Sequence, residues 1–244
     1  ITKAHNICDD MGIDQISYGN TVACAMELYE KGKIPKERLY GVELKFGNPQ
    51  TIVEYAWMTA YRLGFGDDLA LGAKRLAEKY GAPELAMHSK GMELPAYDPR
   101  GIQGHGLGYA TSNRGGCHLR AYMVAHEILD ACRPKLDPFK TEGKAQWVKT
   151  MQDLFAFVDS TGVCKFLTLG ALDAPDFAKL MNTVAGWKLT ADDVMKIGDR
   201  IYTLERMFIN REGLGGKDDT LPPRLLKEPM PEGPAKGHVV ELDK

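Results

Sequence analysis

Two carboxylates and one thiol stand at matching places in a repeated motif. Asp9-Asp10-Met11-Gly12-Ile13-Asp14 reads D-x-x-G-I-D, and Asp159-Ser160-Thr161-Gly162-Val163-Cys164 reads D-x-x-G-V-C. An ionised carboxylate accepts two parallel N–H bonds from a planar fork. A guanidinium offers that fork, and so does the aminopyrimidinone edge of a pterin. The glycine lets the following backbone approach a flat ring. Two such motifs would hold two pterins. Cys164, directly after the second motif, could then ligate a metal cluster packed against one of them. The plainer reading of each motif is a turn that Asp starts and Gly closes, and the spacing alone leaves both open. No G-x-x-x-x-G-K-[ST] loop accompanies the motif, which excludes a GTPase.

A second stretch also has the makings of a site. From Gly101 to His118 the sequence is GIQGHGLGYATSNRGGCH, with six glycines in 18 residues. So much glycine beside charged and aromatic groups predicts a loop shaped around a ligand. A flexible linker is the bland alternative, but linkers are poor in Tyr, His and Arg. This stretch and its approach contain Tyr97, His105, Tyr109, Arg114 and His118. Of the remaining histidines, His5, His88, His126 and His238 read as surface or helix-end residues, while His105 could reach a pocket in the loop. No HExxH pair or Cys₂His₂ spacing is present, so a self-contained zinc site is not expected.

Helices must position these groups. Apolar residues recur at helical spacing in Val22, Met26 and Tyr29, in Val53, Trp57 and Ala60, and in Phe177, Leu180, Met181, Val184 and Trp187. The longest set is Val194, Ile197, Ile201, Leu204 and Phe208, opened by a capping box of Thr190 and Asp193. Strand candidates are few, at Val42–Phe46 and His238–Leu242. The expected fold is all-α and multihelical, with at most a few short strands. A boundary at 88/89 would give one helical domain over 1–88 and a second over 89–244. The Pro-rich tail from Leu221 to Lys244 reads as an extended surface segment.

Composition narrows the function classes. The chain has 244 residues with 31 basic and 33 acidic side chains, a formal net charge of −2. Such balance argues against a nucleic-acid binder, which needs excess Lys and Arg. No apolar run reaches the ~18–20 residues of a membrane span. The start ITKAHNICDD shows no signal peptide. Five cysteines, an odd number without a CxxC pair, point to a reducing cytoplasm rather than a disulfide framework. Four of them should be buried, Cys164 being the exception.

Taken together, several segments become specific. ELPAYDPRG at 93–101, YATSNRGGCHLR at 109–120, DDMGID at 9–14, DSTGVC at 159–164 and GHVVELD at 237–243 resemble the tungsten-dependent aldehyde ferredoxin oxidoreductase family. GNTVACAMELYEKG at 19–32 and KDDTLPPRLLKEPMPEGPAKGHVVEL at 217–242 fit as well. The resemblance covers essentially the whole chain and implies the two helical domains of that family, domains 2 and 3. It also implies a tungsten (or molybdenum) bis-molybdopterin, a [4Fe–4S] cluster, and Mg2+ as a further candidate ion. The pterin dithiolenes, not side chains, would bind the metal.

Residue roles follow from the same resemblance. Asp9 and Asp159 match the two pterin-gripping aspartates. Ile13 and Asp14 would contribute backbone and carboxylate contacts after the first. Val163 and Lys165 flank Cys164, the implied fourth cluster ligand. Arg114 and Arg120 match groups that bind pterin or its phosphate, a task suited to the arginine fork. His118 matches a histidine beside the metal, and Tyr97 a tyrosine of the substrate pocket. The implied catalytic pair is therefore His118 with Tyr97. Val163 departs mildly from the family's more usual Leu.

The implied reaction oxidises a small aldehyde to a carboxylic acid and hands electrons to ferredoxin. Members of the family carry an N-terminal β-rich domain and a Cys-x-x-Cys-x-x-x-Cys motif that this sequence lacks. The resemblance therefore implies a fragment or split protein that partners with that N-terminal part and is inactive alone. A homo-oligomer is a further expectation. Two other readings stay open: the tungstopterin subunit of a related reductase of the aromatic acyl-CoA type, or a non-catalytic helical module.

Overall fold

The computed structural model describes residues 1–39 and 41–243. Among these there are eleven α-helices and one two-stranded sheet, so the multihelical all-α expectation holds. No described helix is long and apolar enough to cross a membrane. The chain divides into two compact units. The first comprises Ile1–Tyr97 with Leu221–Arg224, and the second comprises Asp98–Thr220 with Leu225–Lys244. Residues 88/89, the expected boundary, lie within the hairpin of the first unit.

In the first unit, α1 (Thr2–Met11) ends on Gly12, whose φ of 67° turns the chain into α2 (Gln15–Glu30). Glycine adopts that left-handed conformation without the Cβ penalty. Next come α3 (Pro49–Ala60), α4 (Gly66–Leu69) and α5 (Gly72–Lys79). The Asn48 side chain caps α3, with Pro49 in its first turn. Val22, Ala25 and Leu28 of α2 share a core with Tyr55 of α3 and with Ala73, Leu76 and Ala77 of α5. Tyr55 meets Phe65 edge-on at 5.6 Å. Its hydroxyl donates to the Val42 carbonyl at 3.0 Å, so the expected strand at Val42–Phe46 is instead a coil segment held from the core. The sheet is an antiparallel hairpin of β1 (His88–Ser89) and β2 (Met92–Glu93). Asn20 of α2 ties both flanks of that hairpin by donating to the carbonyls of Met87 and Leu94.

In the second unit, α6 (Gln103–Thr111) and the short α7 (Val124–Glu127) precede the long α8 (Lys144–Thr161). They are followed by α9 (Ala174–Ala185), α10 (Ala191–Arg211) and α11 (Pro223–Lys227). The capping box of Thr190 and Asp193 opens α10 as expected. Helices α8 and α10 cross closely at Gly198, where a Cβ would lie 1.9 Å from the Asp153 carbonyl oxygen. Lys149 braces the crossing by bonding Asp153 and Asp199.

Two expected stripes are corrected here. The buried face of α10 is Val194, Gly198 and Tyr202, whereas Leu204, Met207 and Phe208 are exposed. In α3 the buried residues are Thr51, Tyr55 and Ala56, and Trp57 stacks on Tyr61 near the surface instead. Both helices use small or polar residues where backbones approach, and an apolar pattern alone does not reveal that.

The first part of the glycine-rich stretch, Gln103–Thr111, is helix rather than loop, while 112–118 is turn and coil. Helix propensity disfavours the helical part, each Gly costing about 1 kcal/mol against Ala. Packing overrides that cost. A Cβ on Gly104 would press on Glu127 and Lys144, one on Gly106 on Val240, and one on Gly108 on Ala121. The tail is not merely a surface strap either. Leu221, Leu225 and Val240 are buried, and Arg224 pairs bidentately with Glu27. The expected strand at His238–Leu242 is absent because Val240 bonds back to Leu225, not to a neighbouring strand.

Gly198→Ala tests the crossing. Helix propensity alone would stabilise α10, but overpacking typically costs about 1–3 kcal/mol. A lowered unfolding midpoint in urea is expected, and a raised one would show that the helices do not approach so closely.

Candidate functional site

The two motifs occupy equivalent places, each at the C-terminal end of a helix in its own unit. In the first unit Asp9 lies in the last turn of α1. Its exposed carboxylate accepts from the Gln15 amide and lies 3.5 Å from His5 Nε2. The backbone after it is fixed by Ile13 N–H donating to Cys8 O at 2.8 Å. Asp14 caps α2, its Oδ2 accepting from Ser17 N–H at 2.7 Å. A cavity of about 400 Å³ opens beside this turn, lined by Met11, Gly12, Ile13 and Asp14 with Arg62 and Glu93 among the opposing groups. Small-molecule sites span roughly 300–1,000 Å³. Asp9 is not part of the lining; Ile13 and Asp14 are.

In the second unit Asp159 lies in the last turn of α8, which Gly162 closes with φ 73°. Arg120 Nη1 donates to Asp159 Oδ2 at 3.0 Å. Lys165 Nζ reaches Oδ1 at 2.8 Å and also donates to Leu119 O at 2.9 Å. Burial lowers the Lys165 ammonium from its ordinary range, and Asp159 opposes that shift. The Asp159 side chain remains 37% exposed, so its carboxylate can still be approached. Arg120 in turn donates to Glu205 Oε1 of α10 at 2.6 Å. A cavity of about 420 Å³ lies here, lined by Asn113, Arg114, Arg120 and Glu205 with Leu204 and Phe208.

Three of the four cysteines expected in the core are buried there. Cys8, Cys24 and Cys117 are buried, Cys132 is half-buried and Cys164 is exposed. Cys164 directly precedes the 3₁₀ turn Lys165–Thr168, five residues after Asp159 in the chain. Among the described residues no three His, Cys, Asp or Glu side chains are arranged to hold a metal ion. One exposed soft donor fits a cluster whose other ligands come from elsewhere.

His118 is half-buried and packs against Tyr122 at 6.0 Å between ring centroids. Tyr97 is exposed and ends the first unit. His105 does not reach a pocket. It is 1% exposed, packed edge-on against Tyr109 and Tyr122. His126, expected at the surface, is also buried, with Nδ1 3.1 Å from Pro134 O.

Sequence reasoning missed three charged groups of this unit. Glu127 is completely buried. Its carboxylate accepts the first free N–H groups of α6, Gly104 at 2.9 Å and His105 at 3.0 Å, and it pairs with Lys144. An anion at a helix N-terminus is favoured by the helix dipole. Burial raises the Glu127 carboxyl while Lys144 and the two N–H groups oppose the rise. Glu205 is the third. Its partner Arg120 lies 85 residues away, and no local signal in one sequence marks such a pair.

With this geometry in view, comparison with known proteins is decisive. The family described as aldehyde ferredoxin oxidoreductase, domains 2 and 3, matches residues 1–244. This chain belongs to that family. It is 51% identical over 99% of its length to the tungsten-containing aldehyde ferredoxin oxidoreductase of Pyrococcus furiosus. It is 49% identical over 99% to the protein of that name from Thermococcus kodakarensis. It is 30% identical over 95% to an aliphatic sulfonate oxidoreductase, WOR-like subunit, of Pyrococcus furiosus. The chain spans about two fifths of the length of the first two relatives, which it covers to 40%, and 35% of the third.

Burial holds the His105 imidazole down at about 3, and nearby His118 adds to the depression. The unfolded chain takes up that proton near pH 6.5 and the folded one does not. The folded state is thus stabilised above pH 6.5 and loses that contribution as pH falls from there towards 3. Unfolding titrations of the native protein and His105→Gln should differ by a slope of about 1.4 kcal/mol per pH unit between pH 6 and 4. Identical slopes would place His105 in contact with water.

Proposed function

We propose that this chain holds the pterin and cluster side of an enzyme that oxidises aldehydes to carboxylic acids. Aldehyde and water give the acid, two protons and two electrons, the electrons passing to ferredoxin. The single observation carrying this reading is the exposed Cys164 in the turn that follows the clamped Asp159 carboxylate, within a chain of this family. The residues fit a bis-pterin tungsten group. One motif turn lines a cavity of suitable size, and the other sets a carboxylate, two cations and a soft thiolate at one helix end. When bound, that group supplies the two-electron oxidation and the cluster carries electrons away singly.

The chain's own residues do the holding and the proton work. Asp14 and Asp159 accept pterin N–H groups, and Asp9 adds negative charge at the same turn. The backbone at Ile13 and Val163 lies against the rings. Arg114, exposed at the rim, and Arg120 offer charge to phosphate. Lys165 and Arg120 hold the Asp159 carboxylate in place. His118 gives a proton to the aldehyde oxygen or takes one from the attacking water, with Tyr97 orienting the substrate. An unperturbed histidine titrates near pH 6.5 and can do either at working pH. Higher identity to proteins named for aldehydes than to one named for sulfonates favours the aldehyde reading.

Two experiments on the native protein check the roles. Cys164→Ser should abolish or alter the reduced-cluster EPR signal, and an unchanged signal would remove Cys164 as ligand. His118→Asn should keep its tungsten and lose about 10²–10⁴ in kcat, the usual worth of a general acid or base. Full turnover would refute the assignment.

A further inference from the structure

Glu205 reaches Asp159 only through another residue, yet it is tied to it tightly. Arg120 is nearly buried and its two terminal nitrogens point to different carboxylates, Nη1 to Asp159 at 3.0 Å and Nη2 to Glu205 at 2.6 Å. Arg120 Nε and Glu205 Oε2 are buried without a hydrogen-bond partner. The side chain therefore has no third anchor, and Glu205 fixes which way the guanidinium faces. Glu205 itself is placed by α10. Gly198, Tyr202 and Glu205 lie at i, i+4 and i+7, along one helix face. Gly198 presses on Asp153 of α8, and the Tyr202 carbonyl accepts from Asn113 Nδ2 at 2.9 Å. The Tyr202 hydroxyl donates to Thr111 O at 2.9 Å. The same face thus grips α8, which carries Asp159, and the segment leading to Arg114.

We propose that Glu205 is a positioning residue for the pterin-gripping carboxylate, a role that rests on the function proposed above. By holding the other end of the guanidinium, it keeps Arg120 on Asp159 Oδ2 through a single nitrogen. A carboxylate has about four lone-pair sites. Arg120 uses one on Oδ2 and Lys165 one on each oxygen, so a two-bond fork must displace Lys165 from Oδ2 and needs Arg120 to stay on that oxygen alone. Without Glu205 the guanidinium is free to turn and cover both oxygens bidentately, which is its preferred mode with a lone carboxylate. The site would then be closed by its own arginine.

The test compares Glu205→Gln with Asp199→Asn in the native protein, reading bound tungsten, bound pterin and the unfolding midpoint. Asp199 joins the same two helices through Lys149 at 2.7 Å but has no bond to Arg120 or Asp159. Glu205→Gln should lose about tenfold in bound tungsten and pterin, the usual cost of removing an outer partner of a metal site. Asp199→Asn should retain both at an equal or lower midpoint. Arg120→Lys, whose single ammonium cannot span both carboxylates, should repeat the loss and serves if Glu205→Gln does not fold. Full loading of Glu205→Gln, or losses that track the midpoint in all variants alike, would overturn the positioning role. A native protein holding neither tungsten nor pterin would instead overturn the function on which it rests.

Discussion

A carboxylate that must be aimed and reachable at once is a demanding group to place, and Asp159 meets both conditions. Full burial would close it to a ligand. Full exposure would let it swing and would screen its partners. The structure sets it at a helix end, 37% exposed, with Arg120 and Lys165 on one side. Each cation is itself held, Lys165 by the Leu119 carbonyl and Arg120 by Glu205. The arrangement of α8, α10 and the segment 111–120 follows from keeping those anchors in register.

That register depends on close backbone approach. Gly198 lets α10 meet α8, and Gly104, Gly106 and Gly108 let α6 pack among Glu127, Val240 and Ala121. Buried Glu127 and Lys144 then cap α6 from inside, replacing the side-chain cap its sequence lacks. Glycine here serves packing, at a cost in helix propensity that burial offsets.

Much of this is legible in the amino-acid sequence. The two D-x-x-G turns, the exposed Cys164 and the helical class follow from spacing and from family resemblance. Helix ends are readable at Thr190 and Asp193, because capping chemistry is local. The glycine-rich segment reads as a loop throughout, but Gln103–Thr111 folds as a helix because its glycines answer to partners far along the chain, while 112–118 stays turn and coil. The face of α10 misleads for a similar reason: its contacts use Gly198 and Tyr202, while Leu204 and Phe208 point outward. Glu205 and Glu127 leave no sign in the sequence, since charge pairs across 85 and 17 residues have no periodic trace. The resemblance makes Asp9 the gripping aspartate and Asp14 a following contact, yet of the two only Asp14 lines the cavity.

Whether Asp159 receives a pterin edge beside a cluster bound by Cys164 is tested most directly by a crystal structure of the native protein, with anomalous data at the tungsten and iron edges. Iron density bonded to Cys164 Sγ is expected, together with a pterin ring whose N–H groups lie within hydrogen-bond distance of the Asp159 oxygens. Iron remote from Cys164, or an Asp159 whose only partners are still Arg120 and Lys165 while tungsten is bound elsewhere, would contradict it.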